Sequence, residues 1–222
     1  MTVAGALTQL PGIDIPGHTP TSQGNADHPM RIMTRRAAGL HPGGWDDVAR
    51  AEVAAFFDTL APEWHTRTSP ERDAVVADAL ARGLPAELSA GDVCVELGSG
   101  IGAYTPLLAE RWRRVLATEV AEEMLRLAPT GIGHRVLADG ARLPLADGAA
   151  DAVVLVNCFL FPEEVERVLA AAGVVVWVNS SGSETPIHLT PEEVALALPG
   201  RWSGVASNAG VGIWAVLRRD RT

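Results

Sequence analysis

The residues Glu96-Leu97-Gly98-Ser99-Gly100-Ile101-Gly102 follow an apolar run and precede a helical pattern. Gly98, Gly100 and Gly102 carry no Cβ, so a ligand can rest against bare main chain and the turn can take positive φ. Glu119 ends the next apolar run, about twenty residues beyond the glycines. A carboxylate there can accept hydrogen bonds from both hydroxyls of a ribose. Asp139 stands at the end of a third run, where it could accept from an adenine amino group. Two spacings fit the glycines. One is the dinucleotide fingerprint G-x-G-x-x-G/A with Ala103 last, which would seat a pyrophosphate on a helix N-terminus. The other is a tighter G-x-G-x-G. Glu96 weighs on the choice, because its charge would repel a phosphate and favour an ammonium or sulfonium group.

Positioning these side chains requires strand tips side by side. Apolar runs predict strands near 92–97, 114–119, 134–138, 151–157 and 173–179. They alternate with helices expected near 103–112, 121–127, 162–171 and 190–198. Such alternation implies parallel strands joined by right-handed crossovers, hence an α/β doubly wound, Rossmann-like sheet. The stretch from Arg201 to Arg219 reads as two strands about Asn208-Ala209-Gly210, a hairpin that brings in an antiparallel strand. Upstream, Pro29 and Gly39 bracket a short helix. Asp46 can cap a second helix, whose apolar face is Val53, Phe56, Phe57 and Leu60. Ser69 and Pro70 start a third, stopped at Gly83. The stretch before residue 28 has Gly, Pro, Ser, Thr and Asn without periodicity and is expected to be a flexible tail.

The chain has 222 residues, 47% hydrophobic and 20% charged, with a net charge of −9. That composition is ordinary for a globular protein, and its sign argues against a dedicated nucleic-acid binder. No leader peptide or bilayer-spanning run is read, so neither a nucleic-acid nor a membrane partner is expected. Cys94 and Cys158 sit in apolar runs and are expected to be reduced thiols, consistent with a cytoplasmic location. No His/Cys cluster has metal-ligand spacing.

Four segments, "VCVELGSGIGAYT", "LATEVAEEMLRLA", "VLADGARLPLADGAADAVVLVN" and "EEVERVLAAAGVVVWVN", resemble the successive motifs of class I S-adenosylmethionine-dependent methyltransferases. "FFDTLAPEWHTR" resembles the cap of small-molecule members, including the quinone-biosynthesis-like branch. The resemblance implies a seven-stranded sheet with an antiparallel C-terminal strand. It divides the chain into a tail (1–29), a helical cap (30–88) and a cofactor-binding domain (89–222). It also implies S-adenosylmethionine as cofactor. Glu96, Gly98, Ser99, Gly100 and Gly102 would lie by its methionine portion, Glu119 and Val120 by the ribose, and Asp139, Gly140 and Ala141 around the adenine. Asn157 would flank the methyl group. Two departures stand out. Ala171-Ala172-Gly173 replaces the family's usual Pro-Gly-Gly turn, and "NCFLF" replaces the motif of amino-group DNA methylases, which weakens the case for base methylation.

A sulfonium methyl is already an activated electrophile, so the protein must chiefly align an acceptor in line and exclude water. A base helps only where the nucleophile arrives protonated. His188 and His65 are the candidates for that role, with Arg67 a possible contact to acceptor or cofactor. His134 reads as structural, and Tyr104, Trp177 and Cys158 as packing residues. The expected partner is a small-molecule acceptor, covered by a lid formed from the N-terminal segment. A nicotinamide-dependent oxidoreductase and a non-catalytic S-adenosylmethionine-binding module remain open on the residues alone.

Overall fold

The computed structural model describes residues 6–18, 28–84 and 92–220. One eight-stranded sheet organises them, from β1 (Leu7–Gln9), β2 (Val93–Leu97), β3 (Arg114–Glu119) and β4 (His134–Leu137) to β5 (Ala150–Val156), β6 (Leu169–Asn179), β7 (Trp202–Ala209) and β8 (Gly212–Arg219). The order across the sheet is β1-β7-β8-β6-β5-β2-β3-β4. Only β8 runs antiparallel to its neighbours, β6 and β7. The chain winds from β2 through β3 to β4 and then crosses to β5 on the other side of β2. Strand order therefore reverses at the carboxyl ends of β2 and β5, where open α/β sheets bind ligands.

The middle strands are apolar at nearly every position because both faces are covered. Alternation divides them cleanly. Val95, Val153, Leu155, Val175 and Trp177 pack into one layer, while Cys94, Val154, Val174, Val176 and Val178 pack into the other. Each such buried side chain stabilises the fold by about 1.5–3 kcal/mol.

Helices α1 (Pro29–Ala37), α2 (Asp47–Leu60) and α3 (Pro70–Asp78) precede β2. Their starts follow the capping residues expected. The Asp46 carboxylate accepts from the Ala49 N–H at 2.8 Å, and Ser69 Oγ accepts from Arg72 N–H at 3.4 Å. A π-helical turn, Ala79–Gly83, extends α3. Gly83 is needed there, since a Cβ would lie 2.4 Å from Val216 Cγ2. The crossovers carry α4 (Thr105–Ala109), α5 (Glu122–Leu127), α6 (Pro162–Val168) and α7 (Pro191–Ala197). Thr190 and Glu193 form a reciprocal capping box at the start of α7.

Three expectations change. The tail is not a tail throughout, because Leu7–Gln9 pair in parallel with Gly204–Ala206 and Ile13 bridges to Ala209. Without that pairing β7 would expose an open edge. Arg82 adds a hydrogen bond to the Pro11 carbonyl at 2.8 Å. Residues 19–27 lie outside the described residues, as does the expected boundary between cap and sheet at 88–89. Second, α6 stops at Val168 and the chain enters β6 at once, where Leu169 pairs with Ala150 across a register shift. Third, the helix expected over 103–112 is shortened to α4, and Trp112 beyond it is buried in the core.

Candidate functional site

A cavity of about 1020 Å³, its open mouth included, lies over the carboxyl ends of β2, β3 and β5. Its floor includes Glu96, Gly98, Ser99, Gly100, Glu119, Val120, Gly140 and Asn157. Its roof comes from the segment between β1 and β2, with Trp45, Val53 and Phe57 from in and around α2, then Trp64, Arg67, Thr68 and Arg72. α1 does not line it. That helix is braced elsewhere, by the Arg35–Glu193 ion pair at 2.6 Å and by Arg31 on the Ser183 and Thr185 carbonyls.

The glycines divide by role. All three of Gly98, Gly100 and Gly102 have positive φ, at +66°, +55° and +71°. At Gly98 a Cβ would lie 2.4 Å from Cys158 Sγ, so this glycine serves packing of β2 against the β5 tip. At Gly100 the nearest atom is Trp64 Nε1 at 3.5 Å, which leaves its main chain open to the cavity. Gly102 packs against Pro129 and lies outside the wall. Gly98→Ala should therefore destabilise by several kcal/mol, from about 1–2 for the left-handed backbone and about 1–3 for overpacking. Gly100→Ala carries only the backbone cost. Denaturant midpoints test the contrast, and equal losses would refute it.

Glu96 is 2% exposed and accepts a hydrogen bond from the Thr105 hydroxyl. Burial raises its carboxyl to about 8, and the Glu119 charge adds to the rise, while the Thr105 bond opposes both. Glu119 holds the tip of β3 together. One oxygen accepts from Gly100 N–H at 2.8 Å, and the other from Val120 and Ala121 N–H at 2.8 and 2.9 Å. Burial still leaves its carboxyl above the usual range, against the pull of those three donors.

Asp139 is beside the cavity rather than in its wall. Its Oδ1 accepts from Trp45 Nε1 at 3.0 Å and from Ala141 N–H at 2.9 Å, so it ties the roof to the floor. Ala141 is likewise outside the wall. At Gly140 a Cβ would strike Phe161 at 2.6 Å, and the Trp45 ring packs edge-on to Phe161 at 4.9 Å. Asn157 has φ +50°, the one non-glycine residue at positive φ among the described residues. Its side chain is spent on the residue just past β6: Nδ2 donates to Ser180 Oγ at 2.8 Å and Oδ1 accepts from Ser180 N–H at 2.9 Å.

Neither histidine expected to act as a base lines the cavity. His65 is solvent-exposed on the turn Ala61–Arg67. His188 Nδ1 donates to Asn179 Oδ1 at 2.9 Å and braces the loop before α7. Burial, helped by the Arg31 charge, lowers its pKa. Arg67 does reach the wall, with its guanidinium 5.4 Å from the Trp64 ring centre. Tyr104 and Cys158, read as packing residues, also line it. Burial pushes the Tyr104 phenol up to about 12 and raises the Cys158 thiol. Trp45, Thr68 and Arg72 carry no local signal in the sequence, because only the fold brings them to the glycines.

The donor set fits an adenosyl sulfonium. Two buried carboxyls face the cavity, and Ser99 Oγ and Asp139 Oδ2 are buried without a hydrogen-bond partner among the described residues. Among those residues no group of acidic, His and Cys side chains could hold a metal, and no helix is long and apolar enough to cross a membrane.

Residues 95–176 match the family model described as a methyltransferase domain. Ribosomal RNA small subunit methyltransferase A of Anaeromyxobacter sp. (strain K) is 42% identical over 81 residues, covering 35% of this chain and 28% of that protein. The match to the protein of the same name from Anaeromyxobacter dehalogenans also spans 28% of its length. Among solved structures, the DhpI–SAH complex aligns at TM-score 0.57 and 21% identity, covering 78% of this chain and 98% of that one. The DhpI–SAM–HEP complex gives 0.55 and 20%, covering 79% and 100%. The [4+2]-cyclase SpnF aligns at 0.50 and 16%, covering 59% and 60%. These likenesses establish the fold, and SpnF illustrates that a fold alone does not name a reaction. Over residues 95–176 the chain is thus similar to a methyltransferase domain.

Proposed function

We propose that this chain transfers the methyl group of S-adenosylmethionine to a small-molecule acceptor. The observation that carries the reading is the pair of buried carboxyls, Glu96 and Glu119, facing one roofed cavity beside a bare glycine tip. A pyrophosphate would meet two carboxyls there, whereas a sulfonium and an ammonium are attracted to them. When bound, the cofactor supplies an activated methyl group. The residues of the chain do the rest. Gly100 presents a backbone without a Cβ to the ligand while its N–H is held by Glu119, and Glu119 has about one lone pair remaining for a ribose hydroxyl. Asp139 Oδ2, which makes no hydrogen bond and lies 3.7 Å from the Arg142 guanidinium, can accept from the adenine amino group. The aromatic roof of Trp45, Phe57 and Trp64 excludes water, and positioning inside it supplies several kcal/mol of the acceleration. No base is assigned, since the histidines face elsewhere.

The roof and the net charge of −9 support a small acceptor. The stretch Phe56–Arg67, by its resemblance, supports a place near the quinone-biosynthesis-like branch. Thermal stabilisation by S-adenosylhomocysteine against NAD(H) tests the cofactor. A ligand at a hundred times its Kd should add about 2.7 kcal/mol. A shift with NAD(H) alone would overturn the reading. Acceptor-dependent formation of S-adenosylhomocysteine then separates enzyme from binder. Turnover with ribosomal RNA but with no metabolite would replace the small acceptor.

A further inference from the structure

Charge inside the cavity is polarised. Its two carboxyls stand at the strand tips, while both of its arginines, Arg67 and Arg72, come from the roof segment. The Arg72 side chain donates to the Arg67 backbone carbonyl, and the Arg67 guanidinium lies 5.4 Å from the Trp64 ring centre. Neither arginine has a carboxylate within ion-pairing distance among the described residues. Other arginines at the edges of the fold do, among them Arg35, Arg82, Arg126 and Arg167. Arg67 and Arg72 also line a second hollow that adjoins the cavity and continues toward His18, Ser181 and Val211. Two carboxylates share that wall, Glu71 and Glu184. Glu71 is held by its own backbone N–H and by Ser69, which keep its carboxyl below the usual range.

Resting on the methyl-transfer reading above, we infer that the acceptor carries an acid group, held by Arg67 and Arg72, with its body extending into the adjoining hollow. A guanidinium pair suits a carboxylate, phosphate or phosphonate because its planar donors meet two oxygens at once. The cavity over the glycines has carboxyls for the cofactor's cations. The hollow beyond the arginines offers space that the floor residues do not reach. Acid recognition here is a matter of specificity, since the arginines fix which molecule is aligned and take no part in bond making.

Isothermal titration of the full chain saturated with S-adenosylhomocysteine tests this, with phenylphosphonate and benzyl alcohol as probes. Phenylphosphonate should bind saturably and at least tenfold more tightly than the alcohol. The double variant Arg67→Gln/Arg72→Gln should lose at least tenfold for phenylphosphonate while its affinity for S-adenosylhomocysteine stays within twofold. Competition between phenylphosphonate and S-adenosylhomocysteine, with a tenfold loss of the latter in the double variant, would give the arginines to the cofactor's own carboxylate and overturn the inference. Equal binding of acid and alcohol, or of neither, would overturn it too. If the wild-type chain does not bind S-adenosylhomocysteine at all, the methyl-transfer reading falls and this inference with it.

Discussion

Replacing Glu119 by alanine should weaken the protein twice, once in its fold and once in its ligand. Three backbone donors, those of Gly100, Val120 and Ala121, end on this carboxylate. Each donor left buried without an acceptor costs about 1–3 kcal/mol, partly recovered where water can enter the cavity. A stability loss of about 2–4 kcal/mol is expected in urea unfolding. Glu119→Gln keeps acceptor oxygen at this point and should recover part of that loss, so it is the variant for binding. Its S-adenosylhomocysteine affinity should fall roughly tenfold to a hundredfold, the value of about 1.5–3 kcal/mol for a charge-assisted contact. Full affinity in a folded Glu119→Gln protein would remove the ribose contact.

Glu96→Gln should act in opposite directions on stability and binding. With the carboxyl raised to about 8, the native chain holds this proton more tightly than the unfolded chain, whose value lies near 4.5. Stability falls with pH wherever the native state binds more protons. The loss from this residue therefore begins near pH 4.5, grows toward pH 8 and levels off above it. It amounts to a few kcal/mol at most. Glutamine never ionises and can still accept the Thr105 hydroxyl, so the variant should melt at higher temperature than wild type at pH 8.5 and similarly at pH 4.5. A cationic ligand favours the ionised form. Wild-type affinity for S-adenosylmethionine should then rise as pH approaches 8, and the variant should lose that slope. Parallel melting curves at both pH values would show that Glu96 carries no such proton.

The sheet was readable because β2, β3 and β5 are largely buried runs rich in Val, Leu and Ala, which with the alternating pattern set β2, β3, β4 and β5 to within a residue or two, although β4 at the edge is mostly exposed. β1 escaped because three residues paired in parallel at an edge carry no local signature. Their partner lies in the last part of the chain. The start of β6 escaped for a different reason. Leu169 to Gly173 is mostly alanine, which prefers a helix in isolation, and only pairing with β5 draws it into the sheet.

The floor of the site was readable for the same reason as the sheet. A carboxylate or glycine at the end of a strand has few places to go. Glu96, Ser99, Gly100, Glu119, Val120, Gly140 and Asn157 all reach the cavity. Side chains with alternatives are harder to place. Asn157 faces the cavity yet spends its amide on Ser180, and Asp139 binds the roof tryptophan. His188 finds Asn179, and His65 stays in solvent. Nothing in a linear pattern says which partner a polar side chain will choose. The roof is harder still, because Trp45 meets Asp139 across 94 residues of chain.

The parallel edge pairing also sets an order of assembly. Ser207 bonds the Leu10 carbonyl across 197 positions, so the first strand has no mate until the last hairpin exists. Closing so long a loop is entropically costly, and contacts of this span form late. During synthesis residues 7–13 must therefore wait, unpaired, while nearly the whole chain emerges. Their docking completes the molecule rather than beginning it.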